Sequence, residues 1–534
     1  MAGTTAQPTS RLRSWWGWGY ADAHPDDAEC AAMGALLPGT LPRPLPVPHV
    51  RDLRIGGPAA EPPASLAHLV TADPAVRAAH AMGKAYRDVV RALRGRPGRI
   101  PDLVAHPADE QDVADLLDWA GSRRIAVVPY GGGSSVTGGV EYRGDAHDAV
   151  LSLDLTRMGR VLEVDALGRA ARIQAGALGP ALEAQLRPHG LTLRHFPQSF
   201  EFSTLGGWIA TRAGGHYATG RTHIDGAVQS LRVVTPAGVS ASWRLPASGA
   251  GPSPDRLFIG SEGALGVITE AWVRLVARPR HKASASLAFS GFGAALDAVR
   301  AVAQSGLRPA NCRLLDAGEA SLSGVRADGS AVLVLGFESA DEPVGGLLER
   351  AVALARAHGG RPGTAAGGGT GSGGDAAVAA WRSAFLRMPY LRDGLARMGA
   401  VAETFETAAT WDGIPALIEA VRSEVGAAAA KATGYPATVN CRLTHVYPDG
   451  AAPYFTVLAA GRQGDEAALW DDLKAVANEV LHRHRATITH HHAVGRDHRP
   501  GYDLQRPEPF ALALRAVKSA LDPRGILNPG VLVD

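Results

Sequence analysis

Apolar residues along the chain follow two patterns, short β-branched runs and one-sided repeats at helical spacing. Ile125 to Val128 and Val150 to Leu155 are runs of the first kind, and they predict buried strands. Between Asp109 and Ser122 the apolar side chains recur on one helical face, at Val113, Leu116, Leu117 and Ala120. Helices and strands are therefore expected to alternate in the first half of the chain.

The same patterns predict further elements up to residue 275. These are helices at 73–93 and 179–187 and hairpins at 161–175 and 231–244. Ahead of them, Trp15 to Tyr20 places four aromatic side chains in six positions, which is typical of an anchor laid on a larger core.

The pattern changes near Arg278-Pro279-Arg280. From there, predicted strands at 285–289, 331–337, 438–446 and 454–460 alternate with predicted helices at 293–304, 343–358, 414–430 and 465–484. This alternation predicts a second α+β domain. Gly367 to Gly374 is expected to be a linker, with a phosphate loop as the alternative, and a last helix is expected to end at Leu521.

The predicted strand at 125–128 runs into the glycine loop, Pro129 to Gly139. Glycine adopts positive φ and allows close backbone approach, and successive N–H groups that point one way form a concave anion site. A pyrophosphate would fit there, although a surface turn is the alternative for the loop taken alone. The loop lacks the Gly-Lys-Ser/Thr of a Walker motif, and Ser, Val and Thr follow where a Rossmann fingerprint would open a helix.

Two later stretches also combine glycine with small residues. The second stretch, Pro197 to Gly215, mixes apolar residues with Ser, Thr and paired glycines. This mixture suits backbone that lies against a flat ligand better than it suits a packed helix or strand. The third stretch, Gly260 to Thr269, turns into a strand that ends at Leu275.

Composition and charge narrow the function classes. The 534 residues suffice for two or three domains, and 54 Lys and Arg nearly balance 52 Asp and Glu, so we expect no nucleic-acid partner. Three distant cysteines, Cys30, Cys312 and Cys441, argue against a disulfide framework and a zinc site and favour the cytoplasm. No stretch reaches the ~18 apolar residues of a membrane span, although peripheral membrane contact stays open.

His490, His491 and His492 are consecutive and stand on a predicted strand. Because side chains alternate along a strand, at most two of these rings can face one site. Clustered histidines raise the question of a metal, but no cysteine or nearby carboxylate supplies a further ligand at a recognisable spacing. We therefore expect no metal.

The three glycine-rich stretches, closed by Asp522-Pro523 and Asn528-Pro529-Gly530, resemble those of FAD-binding flavoproteins of the vanillyl-alcohol oxidase type. The resemblance implies an α+β fold, with a two-subdomain FAD-binding domain of this (PCMH) type and an inserted α+β cap domain. It implies four segments: an N-terminal extension at 1–98, the FAD-binding domain at 99–279, the cap at 280–485 and a C-terminal return to the active site at 486–534.

The resemblance implies that FAD contacts all three stretches. The implied residues are Pro129, Tyr130, Gly131, Gly132, Gly133, Ser134, Ser135, Gln198, Ser199, Phe200, Glu201, Phe202, Ser203, Thr204, Thr211, Arg212, Ala213, Gly214, Glu262, Gly263, Ala264, Leu265, Gly266, Val267 and Ile268. The glycine loop has no His or Cys for covalent flavin attachment, and we expect non-covalent FAD.

Within that group the chain is more closely similar to the alkyldihydroxyacetonephosphate synthases, an ether-lipid family. The shared segments are Trp16 to Tyr20, Ser199 to Trp208, Thr211 to Ala213, Cys312 to Asp316, Thr404 to Thr407, Cys441 to Thr444 and the three histidines. The family exchanges the acyl chain of acyl-dihydroxyacetone phosphate for a fatty alcohol without net redox chemistry. In it the flavin N5 attacks the carbon next to the ketone, the fatty acid departs, and the alcohol then displaces the flavin.

The resemblance also implies the roles of the catalytic and substrate-binding residues. It assigns proton transfer to Tyr454, on a strand paired through a turn with the strand of Arg442, which would bind phosphate. A cation such as Arg442, or an imidazolium at His491, is expected to favour the phenolate and lower the pKa of the phenol. A solvated strand arginine is the alternative for Arg442. His491 and His492 are implied as proton-transfer or polarising groups, and His490 belongs to the same catalytic set with a structural role. Arg313 is implied to order the flavin or the active-site network.

The lipid substrate implies a tunnel for an alkyl chain inside the cap, where Phe385 to Met398 supply an apolar surplus. A homodimer is the expected assembly. Two other functions stay open: an FAD-dependent dehydrogenase or oxidase of a 2-hydroxy acid or alcohol, and a flavin-binding protein without activity.

Overall fold

The computed structural model describes residues 11–362, apart from 218 and 220–222, and residues 376–534. The expectations for the first ten residues and for Gly367 to Gly374 lie outside the described residues. Cys30, Cys312 and Cys441 are buried and free.

Strands and helices alternate along the described chain. The strands are β1 (Val70–Thr71), β2 (Leu103–Ala105), β3 (Ile125–Tyr130), β4 (Ala149–Asp154), β5 (Val161–Asp165), β6 (Ala170–Gln174), β7 (Leu191–Thr192), β8 (Val228–Thr235), β9 (Gly238–Ala241), β10 (Val267–Arg274), β11 (Val276–Ala277), β12 (His281–Phe289), β13 (Asn311–Leu315), β14 (Ala331–Ser339), β15 (Arg361–Pro362), β16 (Ala400–Glu406), β17 (Ala409–Thr410), β18 (Thr438–Val446) and β19 (Gly450–Ala460). The helices are α1 (Asp27–Gly34), α2 (Pro74–Ala79), α3 (Tyr86–Leu93), α4 (Glu110–Ser122), α5 (Gly179–Leu186), α6 (Leu205–Thr211), α7 (Ile224–Ala227), α8 (Asp255–Phe258), α9 (Phe292–Gln304), α10 (Ala317–Leu322), α11 (Gly345–Ala357), α12 (Ala376–Arg397), α13 (Ile414–Thr433), α14 (Glu466–Arg483), α15 (Arg499–Gln505) and α16 (Glu508–Leu521).

The first half of the chain forms two sheets that carry the three glycine-rich stretches. A four-stranded sheet has the order β1-β2-β4-β3, with β2, β4 and β3 parallel, and the glycine loop leaves the end of β3. A five-stranded antiparallel sheet has the order β5-β6-β10-β8-β9. The second stretch contains α6, which packs against β10, and the third stretch leads into β10. Both predicted hairpins, β5-β6 and β8-β9, are confirmed.

Most of the second half is organised around the large sheet, whose strand order is β15-β12-β14-β13-β18-β19-β16. Helices α9, α11, α13 and α14 cover one face and bury an apolar core there. Helices α10 and α12 pack on the opposite face, around Trp381. The predicted alternation of strands and helices after residue 280 is confirmed, and it leaves part of the second face free to line a cavity.

Two terminal segments lie across the sheets. Trp16 and Trp18 are buried, as expected of an anchor, and the backbone N–H of Trp18 donates to Asp393 Oδ2 on α12 at 2.6 Å. At the other end, the N–H of Val127 on β3 donates to the carbonyl of Ile526, and the N–H of Asn528 donates back to the Val127 carbonyl, both at 2.8 Å. Residues 526–528 therefore complete the free edge of the four-stranded sheet.

Three predictions of secondary structure are wrong. The expected helix at 73–93 is two helices, α2 and α3, because the chain between them turns so that the Lys84 N–H donates to the Ser135 carbonyl in the glycine loop. The second stretch was expected to avoid helix, yet Thr204 caps α6 there, its Oγ1 accepting from the N–H of Gly207. The three consecutive histidines do not lie on a strand, because their N–H groups bond a side chain instead of a neighbouring strand.

Candidate active site

A cavity of about 760 Å³ lies where the glycine loop, the second and third stretches and the large sheet meet. The sheet supplies alternate residues: Arg442 on β18 and Tyr454 on β19 line the cavity, and their chain neighbours Cys441 and Phe455 are buried under the helices on the other face. This is the alternation that a pleated sheet imposes. Arg442 and Tyr454 are direct cross-strand partners, so the hairpin that was predicted to bring them together is confirmed.

Most residues predicted to contact the cofactor line this cavity. They are Pro129, Tyr130, Gly131, Gly132, Gly133, Ser134, Ser135, Gln198, Ser199, Ser203, Thr204, Thr211, Ala213, Gly214, Glu262, Gly263, Gly266, Val267 and Ile268.

Six other predicted residues are not in the cavity lining. Phe200 and Phe202 pack in aromatic groups with Trp208 and Trp18, respectively, and Glu201 is exposed. The others are Arg212, whose side chain pairs with Asp225, and Ala264 and Leu265, which are fully buried. All six belong to the second and third stretches, which turn too tightly for every residue in them to face one ligand.

Glycine is required at two positions of the site, Gly132 and Gly207, for different physical reasons. A Cβ on Gly132 would lie 1.7 Å from the Phe202 carbonyl oxygen, so this glycine lets the glycine loop pack against the second stretch. Gly132 also lines the cavity, so its contact with FAD stays a prediction. A Cβ on Gly207 meets only Thr204 Oγ1, at 3.3 Å, and Gly207 lines the cavity. The absence of a side chain at Gly207 thus leaves cavity space that a ligand can occupy, whereas the absence of one at Gly132 allows two backbone segments to pack.

A valine at position 207 should fill ligand space without breaking the fold. We expect Gly207→Val to raise the dissociation constant of FAD at least ~10-fold while the apoprotein melts within a few degrees of wild type, because valine is no worse a helix former than glycine. Flavin fluorescence titration and thermal melting of the apoprotein measure the two effects.

Gly132→Val is the matched variant, and it should lower the melting temperature strongly because its side chain meets backbone atoms. If Gly207→Val binds FAD as tightly as wild type, position 207 does not face the cofactor.

Arg442 is buried and charged, and it has a partner. Its Nη1 donates to Glu319 Oε2 at 2.6 Å, and its guanidinium carbon lies 3.7 Å from the centre of the Tyr454 ring. Burial opposes the charge, but Glu319 and Tyr454 together outweigh burial and raise the pKa of Arg442 above its usual value. The alternative of a solvated strand arginine is excluded, and much of the charge expected to bind phosphate is already neutralised by Glu319.

The phenol of Tyr454 has a higher pKa than expected. Burial raises the pKa of its phenol above the usual value of 10, and Arg442 and a hydrogen bond with Thr404 only partly oppose this effect. The prediction that Arg442 lowers the pKa of Tyr454 below its usual value is therefore wrong. Because the charge of Arg442 is shared with Glu319, the phenol stays protonated near neutral pH.

Arg313 is a buried cation without a matching anion among the described residues. Its side chain lines the cavity from β13, and its Nε and Nη1 atoms are buried without a hydrogen-bond partner. Burial and the nearby Arg442 lower its pKa to about 9, so it remains charged at neutral pH. Buried charges are costly unless paired, and an unpaired one in a cavity is suited to an anionic ligand.

The three histidines wrap around one carboxylate, that of Glu406 at the end of β16. Its Oε1 accepts from the N–H groups of His491 and His492, at 3.0 and 2.8 Å, and from the Thr489 hydroxyl at 2.8 Å, and its Oε2 accepts from the N–H of His490 at 2.5 Å. Burial opposes ionisation, but the histidine rings and N–H groups hold the pKa of Glu406 well below its usual value. The carboxylate thus fixes the path of the histidine backbone.

Two of the three rings reach the cavity. His491 and His492 line it, near Tyr454, with ring centres 6.3 and 5.5 Å from that of the phenol. His490 is not in the lining; its Nε2 instead forms a hydrogen bond with the Tyr447 hydroxyl, at 2.8 Å. Burial lowers the pKa of His491 and His492 below 6.5 despite Glu406, so both rings are neutral proton acceptors at pH 7.

The residues around this cluster meet the distance requirement for a metal, but most of their ligand atoms already have hydrogen-bond partners. Ligand atoms of His445, His490 and His491, and of Glu406, His491 and His492, lie within 4.8 Å of one another. The statement that no carboxylate lies nearby is corrected by Glu406. Its two oxygens are, however, already taken by N–H and hydroxyl donors, and Nδ1 of His490 bonds Nδ1 of His491 at 3.1 Å. We assign no metal to these groups.

Several residues of the site were not assigned a role from the sequence. Glu406 lies in one of the segments that carry the family resemblance, yet its partners are more than eighty residues away in the chain. Glu319, Tyr447 and His445 likewise reach the site only through the fold. Tyr447 lies in the turn that joins β18 to β19, and that position was the one sign in the sequence that it could lie near Arg442 and Tyr454.

Comparison with known proteins gives consistent results for the two halves of the chain. A family model described as FAD binding domain matches residues 101–241, and one described as FAD linked oxidases, C-terminal domain, matches residues 278–532. The alkyldihydroxyacetonephosphate synthase of Trypanosoma brucei brucei is 31% identical over 493 residues, which cover 86% of this chain and 78% of that protein.

Solved structures show the same fold. One of an alkyldihydroxyacetonephosphate synthase superposes with a TM-score of 0.80 at 23% identity, covering 97% of this chain and 98% of that one. One of p-cresol methylhydroxylase with substrate bound gives a TM-score of 0.67 at 14% identity, covering 88% and 94%. The predicted α+β flavoprotein fold and FAD as the cofactor are confirmed, and the glycine-lined cavity fits such a group.

Proposed function

The chain belongs to the alkyldihydroxyacetonephosphate synthase family, and on that premise we propose that it exchanges the acyl chain of acyl-dihydroxyacetone phosphate for a fatty alcohol. The reaction belongs to ether-lipid synthesis and involves no net oxidation. The observation that best supports it is the buried Arg313, which has no anionic partner among the described residues, in a cavity that also holds Tyr454 and two neutral histidines. Such a cavity suits an anionic substrate that must lose a proton.

The nucleophile for this exchange is a ring nitrogen of FAD when the cofactor is bound. The protein residues supply the rest. Arg313 would bind the phosphate, since a planar guanidinium with free donors matches phosphate oxygens. His491 or His492 would accept the proton next to the ketone, because both are neutral at pH 7. Tyr454 would donate a hydrogen bond to the oxygen where negative charge develops, with Arg442 holding its ring in place.

The apolar side chains of the cavity would hold the alkyl chains. They are Met388, Leu391 and Leu395 on α12, together with Met33, Leu36, Leu37, Leu322 and Leu458. We propose that they form the tunnel expected around residues 385–398. No helix in the described part of the chain has the length and hydropathy of a membrane span, and we propose peripheral contact as the route of lipid entry.

The remaining expectations form part of the same proposal. The chain would divide into the N-terminal extension 1–98, the FAD-binding domain 99–279, the cap 280–485 and the C-terminal return 486–534. FAD would be held without a covalent bond, the assembly would be a homodimer, and the compartment would be the cytoplasm. A dehydrogenase or oxidase is less well supported, because the cavity combines the Arg313 cation with the apolar side chains named above, which suits a phosphorylated lipid.

The direct test is to incubate the FAD-bound protein with acyl-dihydroxyacetone phosphate and a long-chain alcohol. We expect the ether product and free fatty acid by mass spectrometry, without consumption of oxygen or reduction of a dye. Shortening both chains should raise KM. Oxygen or dye consumption without ether product would establish the oxidoreductase instead.

Arg313→Met should raise KM for acyl-dihydroxyacetone phosphate roughly 10- to 100-fold, as the loss of charge-assisted hydrogen bonds implies, and leave KM for the alcohol unchanged. Its melting temperature should not fall, because the variant removes an unpaired buried charge. Arg350→Met, at an exposed arginine on α11, is the matched control. An unchanged KM in Arg313→Met would remove Arg313 from phosphate binding.

A further inference from the structure

Four side chains form a continuous row of hydrogen bonds that leads away from the cavity. Nδ1 of His491 lies 3.1 Å from Nδ1 of His490, and Nε2 of His490 lies 2.8 Å from the Tyr447 hydroxyl. That hydroxyl lies 2.7 Å from Nε2 of His223, and Nδ1 of His223 lies 3.5 Å from the carbonyl oxygen of Arg212. His490 and His223 each use both of their ring nitrogens, and His491 uses Nδ1 and keeps Nε2 for the cavity, which is the arrangement that proton transfer along a row requires.

The outer end fixes which nitrogens carry hydrogen. A carbonyl oxygen only accepts, so Nδ1 of His223 must carry its proton, and Nε2 of His223 accepts from the Tyr447 hydroxyl. The Tyr447 oxygen then accepts from Nε2–H of His490, whose Nδ1 accepts from Nδ1–H of His491. Nε2 of His491 is left with a lone pair, on a ring that lines the cavity. All donors therefore point outward.

The two ends of the row have different surroundings. His491 lines the cavity, with 16% of its side chain exposed, and packs beside Tyr454. His223 is partly exposed and is not in the cavity lining. A proton taken up at Nε2 of His491 can release the Nδ1 proton to His490, and successive transfers through Tyr447 leave a second proton on His223. Because every hydrogen bond in the row is donated in the direction from His491 to His223, the row can carry a proton out of the cavity.

The proposed exchange produces such a proton. The bond between the substrate carbon and the acyl oxygen breaks, and the fatty acid leaves as a carboxylate. A new bond forms from the same carbon to the alcohol oxygen, which loses its hydrogen. No electron is gained or lost overall, and one proton must leave a buried site in each turnover.

We propose that His491, His490, Tyr447 and His223 form a proton relay that exports this proton from the active site. The inference rests on the proposed function. The charged and titratable groups that face the row are Glu406, Asp225, Arg212, Asp449, His445 and His492. Burial lowers the pKa of His223 below 6.5, and Asp225 and Glu406 only partly oppose this effect. Burial also lowers the pKa of His490, to about 3, and that of His491, well below 6.5. Tyr447 acts through the histidines and is a positioning residue.

The tautomers can be measured without turnover. Long-range ¹H–¹⁵N spectra of the FAD-bound protein, labelled with ¹⁵N-histidine, should show the Nδ1–H form for His223 and His491 and the Nε2–H form for His490. Signals are assigned by their loss in the corresponding His→Asn variants. The opposite tautomer at His490 or His491 would overturn the relay, whatever the protein catalyses.

Turnover provides the second test. Tyr447→Phe should lower kcat roughly 10- to 100-fold with KM unchanged, the lower part of the range for acid–base groups. His223→Ala should lose a similar factor and regain turnover when imidazole is added, since the site is partly exposed. Tyr142→Phe is the matched control, because it removes a tyrosine–histidine hydrogen bond to His147 outside this row.

The outcomes separate the two proposals. Wild-type rates in Tyr447→Phe, or no rescue of His223→Ala by imidazole, would refute the relay while the transferase stands. If the wild-type protein transfers no alkyl chain, the proposed function is refuted. The relay would then have no proton of this reaction to export, even if the measured tautomers are the expected ones.

Discussion

Replacing Tyr454 by phenylalanine is expected to lower turnover by roughly 10²–10⁴-fold, the contribution of a well-placed proton donor or acceptor. The phenol faces the cavity between Arg442 and the two histidines, and phenylalanine retains the ring that stacks on the guanidinium. FAD content and the melting temperature should therefore stay close to wild type. Flavin absorbance, thermal melting and product mass measure the three quantities.

The pH dependence distinguishes the role of the phenol. Because burial raises its pKa, Tyr454 should act in its protonated form, and wild-type kcat should not rise between pH 7 and 9 as it would if a phenolate were the base. Near wild-type turnover in a fully flavin-loaded Tyr454→Phe variant would leave the proton chemistry to the histidines alone.

Glu406→Ala is expected to lower turnover at least ~100-fold. It should also destabilise the protein by roughly 3–5 kcal/mol, because several buried donors would lose their acceptor at about 1–3 kcal/mol each. The change leaves the Thr489 hydroxyl and the N–H groups of His490, His491 and His492 without their acceptor. The histidine segment then has no fixed path, so both stability and proton transfer should suffer. Thermal melting and the transfer assay measure the two effects.

Two variants make this result specific. Glu406→Gln keeps the shape and one acceptor oxygen but places an NH₂ group against a backbone donor, so its losses should be smaller than those of alanine. Glu201→Ala, at an exposed glutamate of the second stretch, should behave as wild type. A Glu406→Ala variant with unchanged activity would mean that the histidines hold their positions by packing alone.

Local patterns predicted much of the fold and of the site. Local patterns located both hairpins, four strands of the large sheet (β12, β14, β18 and β19) and the pairing of Arg442 with Tyr454, because these depend on neighbours along the chain. The other strands of that sheet were not predicted. The break between α2 and α3 was missed because it depends on a contact of Lys84 with the glycine loop, about fifty residues later.

The errors at the site share a cause. The pKa of Tyr454 follows from burial and from the pairing of Arg442 with Glu319, and neither is visible in the spacing of β18 and β19. The three histidines were wrongly expected on a strand. Nothing in their own sequence indicates that their backbone N–H groups donate to the carboxylate of Glu406, which is more than eighty residues away. Long-range polar contacts decide such details, and a single sequence carries little trace of them.

The pairing of residues 526–528 with β3 also bears on how the chain folds during synthesis. The N–H and carbonyl of Val127 find their partners only about 400 residues later, so the edge of the first sheet stays open while the whole cap is being translated. At 5–20 residues per second this interval lasts roughly 20–80 s. An open edge strand can pair with other chains. The yield of soluble protein should thus depend on how well the nascent chain is shielded during that time, more than on the stability of the finished fold.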